Sequence, residues 1–230
     1  MIEDNLGFIA ASPAEAASVA RYCRRVGARH ARVATFGIGP NAATEAANSL
    51  VAEGVTLLIS WGTAGGLEAG LAPGTLILGQ AVVCASDGRE YCCDPAATLW
   101  LARNLEPLTP VLKRGVSSVD AAVDGATKSQ LNQRYDGAFV DMESAAIGAV
   151  AQAAGIGFAI VRVIVDPARF SLPISALAGL GPSEGQTRRT LSALCHHPSE
   201  CGAMLRLGAW YFRALRRLSQ AARLLFKKLG

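Results

Sequence analysis

What this chain lacks narrows its class before any motif is read. No apolar run is long enough to cross a bilayer, and the first residues, Met1-Ile2-Glu3-Asp4-Asn5, carry acid where a secretory leader needs a basic region. A cytoplasmic location is expected. Aromatics make up 6% of the 230 residues and charged residues 17%, whereas 51% are hydrophobic, so the chain can close one sizeable core and is not a disordered one. The sequence has no fixed-period repeat, which excludes a solenoid or propeller. It also lacks the Gly-x-Gly-x-x-Gly of a dinucleotide fold, the Gly-Lys-Ser/Thr of a P-loop and the Gly-x-Ser-x-Gly of a serine hydrolase. Six scattered cysteines (Cys23, Cys84, Cys92, Cys93, Cys195, Cys201) read as thiols of a reducing compartment, and Cys195-His196-His197 with Cys201 fits no standard zinc spacing. Neither a metal nor an organic cofactor is implied.

Acid is missing from one region altogether. Residues 203–230 hold Arg206, Arg213, Arg216, Arg217, Arg223, Lys227 and Lys228 and no carboxylate, so this tail is +7 while the body, with 15 basic and 18 acidic residues, is −3. The body therefore carries no nucleic-acid footprint. At about 100° per residue, Leu207, Tyr211, Phe212, Leu215, Leu218, Leu225, Phe226 and Leu229 share one face and the basic side chains the other. Two readings stay open: a closing helix docked on the body, or peripheral contact of 203–230 with an anionic membrane.

What is present is alternation. Residues 6–10, 31–37, 55–60, 75–84, 111–117, 138–141 and 157–165 read as strands, with helices at 13–25, 40–53 and 144–154. That order predicts an α/β fold, a three-layer α/β/α sandwich on a twisted mixed sheet, with ligands bound beyond the carboxyl ends of the strands. The Pro-, Gly- and Ser-bearing stretch 172–185 marks a boundary between a catalytic body, 1–171, and a C-terminal extension, 172–230, with amphipathic helices near 183–195 and 203–228.

Four segments carry chemistry. In Gly37-Ile38-Gly39-Pro40, Pro40 suits a first helical position, so Gly39 can aim its N–H at an anion or hydroxyl. In the loop Trp61-Gly62-Thr63-Ala64-Gly65-Gly66, Gly62 permits close approach and Thr63 adds a hydroxyl donor. Taken singly, each reads equally well as a tight turn. In Val140-Asp141-Met142-Glu143-Ser144, Glu143 is placed to accept from two adjacent sugar hydroxyls beside the apolar Met142; the alternative is that Asp141 or Glu143 only caps the next helix. Asp166 leaves the apolar strand Val161-Arg162-Val163-Ile164-Val165, where desolvation raises a carboxyl toward general-acid range.

In this order and spacing, the four segments resemble the purine nucleoside and uridine phosphorylase superfamily, especially its methylthioadenosine/S-adenosylhomocysteine nucleosidase branch, over residues 6–166. The Ala-rich body, Val-Asp-Met-Glu-Ser and the Arg-rich tail are similar to the hopanoid-associated phosphorylases of bacteria. The resemblance implies cleavage of a purine N-ribosidic bond, with phosphorolytic release of adenine from adenosylhopane as the leading expectation. The alternatives are hydrolysis by a methylthioadenosine/S-adenosylhomocysteine nucleosidase and a purine-nucleoside-binding module without chemistry. It assigns Met142 and Glu143 to the ribose, Asp166 to protonation of purine N7, Gly62 and Thr63 to phosphate or water, Val123 to the purine edge, and Glu15 to the neighbourhood of a water-activating carboxylate. Ala122 stands where the nucleosidases place a stacking Phe, so Phe170 or Trp61 is expected to help hold the base. Val165 replaces the Ser that orients the acid. Glu15, with no clear Arg at the phosphorylases' phosphate position, opposes phosphate on electrostatic grounds. The same likeness implies a homodimer and a small-molecule nucleoside partner, lipid-linked if the hopanoid likeness holds.

Overall fold

A computed structural model describes residues 5–27, 30–35, 37–118, 124–178 and 192–227. Among the described residues, eight strands form one sheet in the order β2-β1-β3-β7-β6-β4-β5, with β8 paired to both β3 and β4. β1 (Leu6–Ala10), β2 (Ala31–Thr35), β3 (Leu57–Gly66) and β8 (Gly157–Ile164) run parallel. β4 (Leu76–Cys84) meets β8 and β5 (Glu90–Cys92) antiparallel and β6 (Val111–Ser117) in parallel. β7 (Phe139–Asp141) pairs with β6 in parallel and with the far end of β3 antiparallel, through Gly65↔Val140. The pairings β3-β8-β4-β6-β7-β3 return to their start, so the mixed sheet curls into a closed circuit.

Alternation along the central strands builds the layers. Ile59, Trp61, Ala159, Val161 and Val163 face α1 (Pro13–Val26), α3 (Pro95–Leu105) and the C-terminal helix Cys201–Leu225. Leu58, Ile160 and Ile164, one residue out of phase, face α2 (Pro40–Ala52) and α5 (Ser144–Ala154). Burying each such side chain contributes about 1.5–3 kcal/mol, so a strand slipped by one residue would lose both cores together.

Two departures from the sequence reading matter for the site. Residues 61–66 form no loop: β3 runs on to Gly66, because β8 stays in register beside it from Leu57↔Gly157 to Ala64↔Ile164 and β7 takes over at Gly65. α3 and α4 (Gly125–Tyr135) were unread; α4, GATKSQLNQRY, has no apolar stripe to announce it.

The C-terminal helix packs on α1 and α3, and Ala214, Leu218, Ala221, Ala222 and Leu225 join one core with Phe8, Tyr22 and Trp61. Phe226 closes that core by stacking on Tyr22 at 6.0 Å. Phe212 does not share this face. It lies about 120° around the helix from Leu218 and is 63% exposed, on the same side as Leu205, about two turns earlier and 77% exposed. Leu229 lies outside the described residues, as does most of the helix expected at 183–195. No helix among the described residues is long and apolar enough to cross a membrane.

Replacing Leu218 with Ala should lower the unfolding free energy by about 2–5 kcal/mol, and Phe212→Ala by about 0.5 kcal/mol or less. Urea denaturation of the two variants checks this, and equal losses would contradict the docking face.

Candidate active site

The ends of β1, β2, β3 and β8 and the start of α5 bring the polar segments together. At the β1–α1 turn, Glu15 N donates to Ser12 Oγ at 3.3 Å and Ser12 N returns a bond to Glu15 Oε2 at 3.2 Å. This reciprocal cap fixes the first turn of α1. It also aims the second carboxylate oxygen at β3, where Glu15 Oε1 accepts the backbone N–H and the hydroxyl of Thr63, each at 2.7 Å. Gly62 permits that approach, since a β-carbon there would stand 2.9 Å from Glu15 Oε1 and 2.7 Å from Arg162 Nη1.

At the start of α5, two acids divide the work. Asp141 accepts from the N–H groups of Glu143 and Ser144 at 3.1 and 3.0 Å, and from the Ser144 hydroxyl, so Asp141 caps the helix. Glu143 makes no cap bond. Its Oε1 instead accepts the Gly39 N–H at 3.1 Å, and Met142, half-buried, donates its own N–H to Oε2 at 3.3 Å. The Gly39 donor expected to face an anion or hydroxyl is thus taken by a carboxylate of the chain itself. The positive φ of Gly39, 103°, shapes that turn.

Arg162 joins these pieces, and the sequence reading gave it no role. Projecting from β8, its guanidinium is buried among Asp141 at 3.0 Å, Ser60 at 2.8 Å, Ser144 at 3.2 Å, Thr63 O at 3.3 Å and Glu143 at 3.6 Å. The Asp141 contact is an ion pair without the alignment of a hydrogen bond. Three carboxylates (Glu15, Asp141, Glu143) therefore surround one cation, and the balance shows in the proton affinities. Burial disfavours the Arg162 charge, but Asp141, Glu143 and Glu15 outweigh it and its proton is held more firmly than usual. Burial, then repulsion from Asp141 and Glu15, pushes Glu143 up to about 7 against the pull of Arg162 and the Gly39 N–H.

Asp166 follows β8 with its carbonyl bonded to Gly66 N at 2.8 Å and its carboxyl beside Gly65. Both candidate acids thus border one stretch of β3: Glu143 through Arg162, the register partner of Gly62, and Asp166 at Gly65. Burial raises Asp166 above the usual carboxylate range, and Lys128 pulls it the other way. Lys128, from α4, is 1% exposed and bonds the Asp166 carboxyl directly. Nothing in the sequence marks it, although Asp124, whose side chain accepts from Thr127 N, does signal the helix start.

The base-binding expectations fare unevenly. Trp61 is in the core, its indole N–H donated to Ser18 Oγ at 2.8 Å, so it cannot stack on a ligand. Phe170 is half-buried, with its ring edge-on to Trp210 at 4.9 Å. Ala122 and Val123 lie outside the described residues. Val165 turns into the apolar core, away from the acid it precedes.

Known proteins share this arrangement of elements. In sequence, residues 6–173 match the phosphorylase superfamily. Among curated proteins none matches significantly. Among solved structures, futalosine hydrolase of Helicobacter pylori aligns with a TM-score of 0.71 at 17% identity, over 97% of each chain. The 5′-methylthioadenosine/S-adenosylhomocysteine nucleosidase of Neisseria meningitidis, in complex with methylthio-immucillin-A, gives 0.72 at 16% identity, over 97% of this chain and 98% of its own. A putative methylthioadenosine nucleosidase of Weissella paramesenteroides gives 0.66 at 21% identity, over 82% and 96%. At such identities the structures establish a common fold, and the sequence match, spanning most of the chain, establishes that this protein belongs to the phosphorylase superfamily.

Proposed function

We propose that this protein hydrolyses the N-ribosidic bond of an adenosine-type purine nucleoside. The observation that carries the reading is the double donation of Thr63 to Glu15 Oε1, through backbone N–H and hydroxyl alike. The donors that phosphate would need are occupied by a carboxylate, and Arg162 is committed to Asp141 and Glu143. At an effective dielectric of about 20, each pair of like unit charges 4 Å apart costs roughly 4 kcal/mol, so a phosphate dianion beside Glu15 is disfavoured where water is not. The solved relatives named above are a hydrolase and nucleosidases by description, which fits.

In the reaction, Glu143 holds the sugar hydroxyls, Asp166 gives its proton to N7 of the departing base, and Glu15 takes a proton from the attacking water. Among the described residues, Glu15 accepts from two backbone N–H groups and from the hydroxyls of Ser12 and Thr63; the hydroxyls can turn away, and water takes the place of one. The positive charge developing on the ribose is stabilised by the excess of carboxylates.

A lipid-linked 5′ substituent, as in adenosylhopane, is the second reading. It is favoured by the outer side of the C-terminal helix, where exposed Leu205 and Phe212 accompany a groove of about 470 Å³ lined by Pro73, Gly74, Phe212, Arg213, Arg216 and Arg217, with no acid. Apolar anchors flanked by arginines suit an anionic bilayer surface, from which such a substrate would be drawn.

Three measurements test these readings. Across a panel of 5′-substituted adenosines, adenine release should proceed equally with and without phosphate and yield the 5-substituted ribose with a free anomeric hydroxyl, and Glu15→Gln should lower kcat about 100-fold or more; a strict phosphate requirement would overturn hydrolysis, and no release at all would leave a binding module. Because Glu143 accepts sugar hydroxyls best when ionised, kcat/KM should rise with pH through about 7, and Glu143→Gln should flatten that limb. The protein should sediment with anionic but not zwitterionic vesicles, and replacing Leu205 and Phe212 with Ser should abolish this; indifference to the replacements would remove the membrane reading.

A further inference from the structure

Lys128 has a chemical setting that a helix of polar sequence does not require. It sits in the first turns of α4, its backbone N–H bonded to Asp124 O at 3.0 Å, yet its side chain is as buried as a core leucine. Its Nζ meets three acceptors: the Asp166 carboxyl through Oδ2, Pro167 O at 3.1 Å and Phe170 O at 2.9 Å. An ammonium has three N–H donors, so each is used and none is left for solvent. Two of the bonds hold the chain just beyond β8 and the third holds the acid that this chain carries. Lys128 bonds only the Oδ2 oxygen of the carboxyl; Oδ1 is turned to β3, 3.5 Å from where a β-carbon on Gly65 would stand.

We propose that Lys128 is the positioning residue of the proton donor: it pins one oxygen of Asp166, leaves the other for the departing base, and stabilises the carboxylate that remains once the proton is given up. The proposal rests on the assignment of Asp166 as the acid. In the step, the Oδ1–H bond breaks as N7–H forms, the glycosidic electron pair passes to the base, and the new carboxylate is left facing the Lys128 ammonium. Without that cation the same step would leave an uncompensated charge in a site that burial has already made hostile to it. Burial alone would make Asp166 hold its proton too firmly to release it, and Lys128 offsets that tendency.

A purely structural lysine and a positioning lysine differ in their pH signatures. The test compares wild type, Lys128→Met and Lys128→Arg, each first shown to be folded by circular dichroism and thermal denaturation. In Lys128→Met, the alkaline limb of kcat should move to higher pH by about one unit or more, and plateau kcat should fall at least tenfold with KM little changed. Lys128→Arg, which restores a cation, should bring the limb back toward wild type. A second readout needs no turnover: infrared difference titration of the Asp166 carboxyl, assigned by its loss in Asp166→Asn, should show the Met variant keeping its carboxyl protonated to higher pH than wild type. An unmoved limb and an unmoved carboxyl titration in a folded Met variant overturn the proposal. A carboxyl titration shifted in the Met variant, with a wild type that releases no base from any nucleoside, sinks the proposed function and with it the role in proton transfer, while the Lys128–Asp166 coupling stands.

Discussion

One buried guanidinium holds the candidate site together. Arg162 reaches Thr63 on β3, Asp141 at the end of β7, and Ser144 and Glu143 at the start of α5, so segments far apart in sequence share a single cation. Removing one partner of such a buried pair typically costs about 3–5 kcal/mol, because the other charge is left without compensation. The arrangement therefore persists only as a set. Asp141 caps α5 and faces Arg162, which frees Glu143 from capping; Gly62 lets both Arg162 and Glu15 approach the strand. Loss of the small residue at 62 or of the cap at 141 would disturb the same cluster.

The charges are arranged unevenly along β3. Among the described residues, three carboxylates share one cation around Gly62 and Thr63, whereas around Gly65 one carboxylate is paired with one lysine. An end rich in negative charge suits a sugar that becomes cationic as its bond to the base breaks, and it repels phosphate. An end where acid and cation are matched suits a group that must surrender a proton and remain as an anion. In the proposed reaction the two ends do opposite work on the two halves of one substrate.

Much of this was legible in the sequence, for identifiable reasons. The central strands announced themselves by unbroken apolar runs, and Glu143 and Asp166 by carboxylates placed where such runs end. Glu15 was legible only by likeness, because in sequence it looks like a capping glutamate, and here one carboxylate both closes the cap of α1 and accepts from Thr63. Residues 61–66 read as a loop because glycine ordinarily interrupts strands; the pairing with β8 and β7 that overrides this preference is long-range. Arg162 and Lys128 were invisible as site residues: a charge in an apolar strand and a charge on a polar helix declare no partners until the fold supplies them. Phe212 was misplaced because a helical wheel cannot tell which part of a broad apolar face meets the body.

The decisive measurement is a crystal structure with a non-cleavable 5′-substituted adenosine analogue. Glu143 should lie within hydrogen-bond distance of both ribose hydroxyls and Asp166 within that distance of the atom at purine position 7, with Lys128 still bonded to the other carboxyl oxygen. A ligand that leaves either carboxylate untouched, or that lodges in the arginine-lined groove instead, would contradict a shared site for the two acids.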